Sequence, residues 1–275
     1  MQPAAPSMSA HPFDIEATDL PSPWAGRLYD QIGSTSDEAL ALVKAGDITT
    51  PTLFLTDHQT AGRGRGRGAG SWTTTAGNLA VSFVHFPTSP VRDWPSLSYV
   101  AGLVLAQTLT DVCGFPADSV RLKWPNDAFV SGGKVAGLLL ETASSPTGQQ
   151  ALVLGMGLNI ANAPVLDRPD YVARDLRGLG YDGPAKPVVL GLIHAWAEAV
   201  RRFDLDAGAR TQIFKDWQAK ALYLNEDITV RLEGTNTIAG QFIGLDSLSG
   251  ALKLKLKSGD VRTSLAGDVM LDMPT

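Results

Sequence analysis

The sequence predicts a protein of mixed helix and sheet that ends in a small β-barrel of its own. Three observations carry this. Short apolar runs with strand character, TLFLTD at 52–57 and LAVSFVHF at 79–86, are interleaved with helical patterns in the first half. Residues from about 165 to 220 read as helices, with VVLGLIHAWAEAVRRFD the clearest. After Tyr223 the pattern becomes strict alternation, Ile228, Val230 and Leu232 and later Leu252, Leu254 and Leu256. Gly250 and Ser258-Gly259-Asp260 punctuate it, which is the pattern of short strands in a small barrel.

Taken in order, residues up to about Pro23 are dominated by proline, serine and alanine and read as a floppy leader. They lack the basic and apolar regions of a secretory signal and are too few for a helix-turn-helix domain. STSDEALALVKAGD, from Ser34, reads as a capped helix: Ser34 and Asp37 have capping-box spacing, Leu40 and Val43 share a face, and Gly46 supplies the stop. Ser34, Thr35 and Ser36 therefore sit at a helix N-terminus, where backbone donors can hold a ligand carboxylate or carbonyl. Simple capping explains the same residues equally well.

The strand at 52–57 delivers Gln59 and the stretch QTAGRGRGRGAGSW, in which Arg63, Arg65 and Arg67 alternate with glycines. No carboxylate occurs from 58 to 92, so this segment is locally cationic in a chain of net charge -5. Glycines let backbone N–H groups approach a ligand, and arginine donates bidentately to carboxylate and phosphate, so the loop suits a small anion. A disordered nucleic-acid-binding tail conflicts with the strands on either side. A dinucleotide fingerprint lacks its following helix, a Walker loop lacks its Gly-Lys-Ser/Thr, and a plain solvated loop remains open.

The apolar spacing between Trp94 and Cys113 predicts a well-buried helix. VRLKWPNDAFV at 120–130 reads as a strand interrupted by Pro125, which marks an edge or a bend. The turn Ser131-Gly132-Gly133 follows, and Lys134 opens the strand KVAGLLLET. A charge at the mouth of an apolar strand would meet a phosphate at short range, although most lysines are ordinary surface groups. The next strand, ALVLGMGLNI, carries Gly155, Gly157 and Asn159, and glycines within a strand admit a bulge or a closely approaching group.

Bulk composition narrows the function. At 275 residues, 44% hydrophobic and 19% charged, the chain is an ordinary globular protein with room for a large core. A pI near 5.3 excludes a global electrostatic grip on nucleic acid or an anionic membrane, so any anion site is local. No run of eighteen apolar residues predicts a membrane helix. Cys113, the single cysteine, excludes an intrachain disulfide and reads as a buried thiol. A reduced, cytoplasmic setting is the expectation. His11, His58, His85 and His194 are scattered and form no metal-ligand pattern, and His194, on a helix beside Trp196, reads as a packing or surface residue. No nucleophile elbow accompanies them, which leaves covalent catalysis unsupported.

Four blocks in order, STS at 34–36, QTAGRGRG at 59–66, KWPND at 123–127 with Lys134 eleven residues after Lys123, and GMGLN at 155–159, resemble the biotin protein ligases, or biotin–acetyl-CoA-carboxylase ligases. The resemblance runs from Arg27 to the C-terminus. It implies an α+β catalytic domain at 24–221, a mixed sheet backed by helices and related to class II aminoacyl-tRNA synthetases, followed by an SH3-like barrel at 222–275. It also implies a monofunctional ligase without a DNA-binding domain, acting as monomer or homodimer on a biotin carboxyl carrier domain of acetyl-CoA carboxylase or a related enzyme.

The implied reaction joins biotin to MgATP as biotinyl-5′-AMP, then passes the acyl group to a carrier lysine. By resemblance, Ser34, Thr35, Ser36, Gln59, Arg63, Gly64, Arg65, Lys134 and Gly137 bind biotin. Arg63, Arg65, Arg67, Trp72, Asn126, Lys134 and Asn159 bind the nucleotide. Lys134 and Arg65 are catalytic, as is Asp127, which orients or deprotonates the carrier lysine, and Mg²⁺ arrives with ATP rather than on protein ligands. The arginine loop is expected to order over the adenylate and exclude water. The chain departs from the family in Ser36, where asparagine is usual, in an arginine loop about two residues longer, and in 73–77, which replaces a Ser-Pro turn. Lipoate ligases and octanoyl transferases, which share the fold and a lysine, are the first alternative, and a nucleic-acid-binding module is the second.

Overall fold

The computed structural model describes residues 13–64, 72, 74–165, 171–205, 210–232 and 236–271. Its main sheet has seven strands in the order β1-β2-β3-β7-β6-β5-β4: β1 (Ala25–Leu28), β2 (Thr52–Thr56), β3 (Leu79–His85), β4 (Val120–Lys123), β5 (Asp127–Val130), β6 (Gly133–Ser144) and β7 (Gln150–Leu158). β1 runs parallel to β2 and every other pair is antiparallel, so the sheet is mixed as expected. β2 is buried along its whole length and β3 and β7 nearly so, which is why they read as continuous apolar runs rather than as alternation.

The two faces of the sheet have different partners. One packs α1 (Thr35–Ala45) through a small cluster of Ala39, Leu40, Val43, Phe54, Val84 and Val153. The other carries the main core with α2 (Leu97–Asp111) and α3 (Ala185–Leu205), into which Leu53, Leu55, Phe83, Leu154 and Trp196 point. α1 begins and ends where its sequence says: Ser34 Oγ accepts from Asp37 N at 3.3 Å, and Gly46 closes it at φ +83°.

The stretch 120–130 is not one bent strand but the hairpin β4–β5, turned through a cis Trp124-Pro125 peptide. β4 is the sheet edge, as the proline implied, and it is covered: Leu122 N donates to Lys220 O and Leu222 N to Leu122 O, both at 2.8 Å. That connection leads from α4 (Arg210–Ala219) into the C-terminal sheet. Its five strands, β8 (Asp227–Arg231), β9 (Thr237–Leu245), β10 (Leu252–Lys255), β11 (Val261–Ser264) and β12 (Asp268–Leu271), pair in the order β11-β10-β9-β8-β12. Tyr99 of α2 donates to Gly250 O at 2.6 Å, and Gln218 of α4 accepts from Leu245 N, which tie this sheet to the helices.

Two expectations need correction. Part of the leader is not floppy: Phe13 and Ile15 are fully buried in the main core, and His194 bonds the Asp19 carbonyl at 2.9 Å, so 13–23 is packed down. Burial of Phe13 and Ile15, with Leu20 packed on the core and Lys186 paired with Asp14 and Asp19, anchors it. Nor is 165–220 helical throughout, because 171–184 is irregular, with Gly178, Gly180, Gly183 and Pro184 closing off helix formation before α3.

Candidate active site

Strand register assembles a low floor on the face that carries α1. Thr56, Ala80, Gly157, Gly137 and Asp127 are successive partners across β2, β3, β7, β6 and β5, so they line up in one row. Ser82, Gly155 and Leu139 form the neighbouring row. Alanine and glycine in the middle of the first row leave the backbone open to a flat group. The Trp72 ring lies there, against the Cα positions of Gly157 and Gly137, with its Nε1 buried and without a hydrogen-bond partner among the described residues.

The N-terminus of α1 forms one wall. Thr35 N and Oγ donate to Gln59 Oε1 at 2.8 and 3.2 Å, and the Gln59 amide reaches Thr74 Oγ at 3.3 Å. The hydroxyls of Thr35 and Ser36 meet Ser82 Oγ at 2.8 and 2.9 Å. A Cβ at Gly155 would stand 2.5 Å from Ser36 Oγ, so glycine is what lets the helix N-terminus come down onto the sheet. Ser34 faces its own cap, as the plain reading allowed.

At the other end stands Lys134, and a bulge puts it there. Ala128 pairs with Ala136 but Phe129 pairs with Lys134, so Val135 is an extra residue in β6. Lys134 thereby shares the face of Gly137 and Asp127 instead of pointing into the opposite core. Its Nζ lies 2.8 Å from Asp127 Oδ1 with both side chains about 15% exposed, and 4.9 Å from the ring centroid of Tyr171. Burial opposes the ammonium, but Asp127 and Tyr171 outweigh it and hold the lysine pKa above its ordinary value. Lys134 is a fixed cation, not a general base.

Arg63 is bound to protein carboxylates. Its two terminal nitrogens reach Glu141 at 2.9 and 2.6 Å, and its Nε reaches Asp37 at 2.8 Å. Asn126 is fixed to β6, its side chain donating to Leu138 O. Asn159 is buried and donates to Arg174 O at 3.1 Å, and its Oδ1 has no donor among the described residues. Gly64 closes the described part of the loop, while Arg65 and Arg67, and with them the expected ordering over the adenylate, lie outside the described residues. Cys113 is partly buried in α2's C-terminal turn, and burial pushes its thiol pKa up to about 12. That thiol is inert at neutral pH.

Comparisons with known proteins establish the family of the chain. A family model described as biotin/lipoate A/B protein ligase matches residues 28–159. A biotin–[acetyl-CoA-carboxylase] ligase of Mycobacterium tuberculosis is 35% identical over 240 residues, 87% of this chain and 86% of the relative. The chain belongs to the biotin protein ligases. The ligase of Paracoccus denitrificans is 39% identical over 228 residues, covering 82% of this chain and 92% of its own. The structure of a biotin protein ligase from Aquifex aeolicus in complex with biotin and ATP superposes with a TM-score of 0.73 at 26% identity, over 89% of this chain and 97% of that one. This ligase therefore has the family's α+β fold, and its C-terminal sheet is consistent with the SH3-like domain.

Several parts of the site escape sequence reading. Ser82 and Thr74 complete the hydroxyl network, Glu141 and Asp37 hold Arg63, and Tyr171 faces Lys134. Ser82 alone left a trace, as the one hydroxyl in the apolar run LAVSFVH.

Proposed function

We propose that the chain is an ATP-dependent ligase that activates biotin as biotinyl-5′-AMP and transfers it to a lysine of a biotin carboxyl carrier domain of acetyl-CoA carboxylase or a related enzyme. The observation that carries this reading is Lys134, held protonated by Asp127 at 2.8 Å at the end of a floor of alanine and glycine. Both reactants of the first step are anions, so a fixed buried cation where carboxylate and α-phosphate meet lowers their repulsion and stabilises the charge that develops. Positioning supplies most of the rest.

The floor of Ala80, Gly157 and Gly137 accepts a flat ring, as the Trp72 indole on the two glycines illustrates, and in this reading the fused ring of biotin takes that place as the indole moves off toward the nucleotide. The hydroxyl and amide network of Thr35, Ser36, Gln59, Ser82 and Thr74 can exchange its internal hydrogen bonds for those of a urea group. We assign Ser34, Thr35, Ser36, Gln59, Gly64 and Gly137 to the biotin side. Trp72, Asn126 and Asn159 belong to the nucleotide side, with Arg65 and Arg67 assigned to both substrates and to nucleotide respectively. Arg63 exchanges Glu141 and Asp37 for the ligand's own anionic groups, and Mg²⁺ enters on the triphosphate.

In the second step the carrier amine attacks the acyl carbon, AMP leaves, and Asp127 accepts or orients the amine proton. Residues 24–221 form the catalytic unit in this reading and 222–275 the SH3-like one. Among the described residues no helix is long and apolar enough to cross a membrane. The ligase reading places the enzyme in the cytoplasm, beside its carrier. The test is mass spectrometry of the enzyme incubated with biotin and MgATP, followed by addition of a carrier domain. Biotinyl-5′-AMP and a biotinylated lysine are expected, and activation of lipoate or octanoate in place of biotin would reject the reading.

A further inference from the structure

Lys134 has a second partner that neither the motif blocks nor the ligase chemistry predicts. Tyr171 places its ring centroid 4.9 Å from the Lys134 ammonium, inside the range where a cation is attracted to an aromatic face. The contact is built into the backbone rather than being a chance surface approach. Lys134 N donates to Val172 O at 2.8 Å and Arg174 N to Lys134 O at 2.9 Å, so the chain around Tyr171 is zipped to the residue its ring touches. The buried ring of Phe129, next to Lys134 in register, meets Tyr171 edge-on at 6.2 Å, and the stem of Arg174 packs over Gly133. Lys123 Nζ lies 6.0 Å from the same ring, which places two ammonium groups around one aromatic side chain.

Asp127 has two demands on it. It neutralises Lys134 here, and in the ligase reading, on which this inference rests, it also serves the incoming carrier amine. We propose that Tyr171 is a positioning residue for Lys134: its ring keeps the Lys134 ammonium in place when Asp127 turns to the carrier lysine. An aromatic face suits this role because it attracts a cation without offering a carboxylate that would compete with the substrate anions.

The experiment separates the two half-reactions in the full chain. Biotin-dependent pyrophosphate exchange reads adenylate formation, and single-turnover transfer from preformed biotinyl-5′-AMP to a carrier domain reads the second step. Loss of a partly buried cation–aromatic contact predicts roughly tenfold slower transfer in Tyr171→Ala. The KM for biotin should change little, and the loss in exchange should be smaller. Tyr171→Phe keeps the ring face but loses the hydroxyl that also bears on the ammonium, so it should recover part of the native rate and stay clearly faster than alanine. Tyr171→Leu keeps side-chain bulk without the ring face and should match the alanine variant while melting near the native temperature. Native transfer in the alanine and leucine variants overturns the proposal, and so does a phenylalanine variant as slow as alanine. If the native chain itself shows no biotin-dependent exchange, the ligase reading fails and takes this inference with it.

Discussion

Gly157 is the position where the least change should have a visible effect. An alanine methyl at 157 would stand inside the Trp72 indole, in conflict with its Cε2, Nε1 and Cδ2 atoms. Carbon atoms settle about 3.5–4.0 Å apart, so the ring must rise on the order of 1–2 Å or leave the floor. Its backbone resists the second course, because Trp72 N donates to Gly62 O at 2.9 Å. Overpacking of this kind costs about 1–3 kcal/mol, which for a chain of this size is roughly a 2–10 °C fall in melting temperature. A ligand ring that replaces the indole on this floor meets the same methyl, so the KM for biotin should rise at least tenfold in the exchange assay. Gly33→Ala is the control, since a Cβ there meets nothing within 4 Å among the described residues. A Gly157→Ala protein with native melting temperature and native KM would refute the packing of Trp72 on that glycine and the floor with it.

Asp127→Asn should slow acyl transfer by about 10²-fold or more while exchange falls less, because proton handling belongs to the second step alone. Single-turnover transfer measured beside exchange checks this, and equal losses would remove the second role of Asp127. His85 gives a pH signature remote from the chemistry. Burial lowers its pKa below the ordinary value, against the pull of Asp204 at 3.3 Å. The unfolded chain therefore binds that proton more readily, so the contribution of neutral His85 is complete above about pH 6.5 and is lost as pH falls through the lower folded value. Melting temperature should fall from about pH 7 to about pH 5, and less steeply in His85→Phe, which keeps the stacking on Trp24. Parallel melting curves for the two proteins would contradict the assignment.

How much of this was legible depended on whether the signal was local. α1 could be read in full because its start and stop are single residues with distinct chemistry, Ser34 and Gly46. The edge position of β4 followed from Pro125, but the hairpin did not, since a strand broken by proline and two strands joined at proline share one pattern. The glycines at 155 and 157 signalled close approach without naming what approaches. Trp72 and Ser36 do, from 85 and 119 residues away in sequence. The bulge at Val135 was invisible, because KVAGLLLET alternates no differently with or without an extra residue, yet it decides which face Lys134 takes. Tyr171 is hidden for a similar reason: its partners come from β5 and β6, and its own stretch is followed directly by the helical pattern of α3. Phe13 and Ile15, with the contacts of Leu20, Asp14 and Asp19 to the core and α3, outweigh a disorder-like composition.

The central claim is that Lys134, oriented by a bulge and held charged by Asp127, serves biotin adenylation. Its most direct test is biotin-dependent exchange of labelled pyrophosphate into ATP with Mg²⁺, comparing the native chain with Lys134→Ala. Exchange that requires biotin, is not supported by lipoate and collapses by about 10²-fold or more in the variant is predicted. Undiminished exchange in a folded Lys134→Ala protein would contradict the account, because the cation at the end of the floor would then have no part in the chemistry.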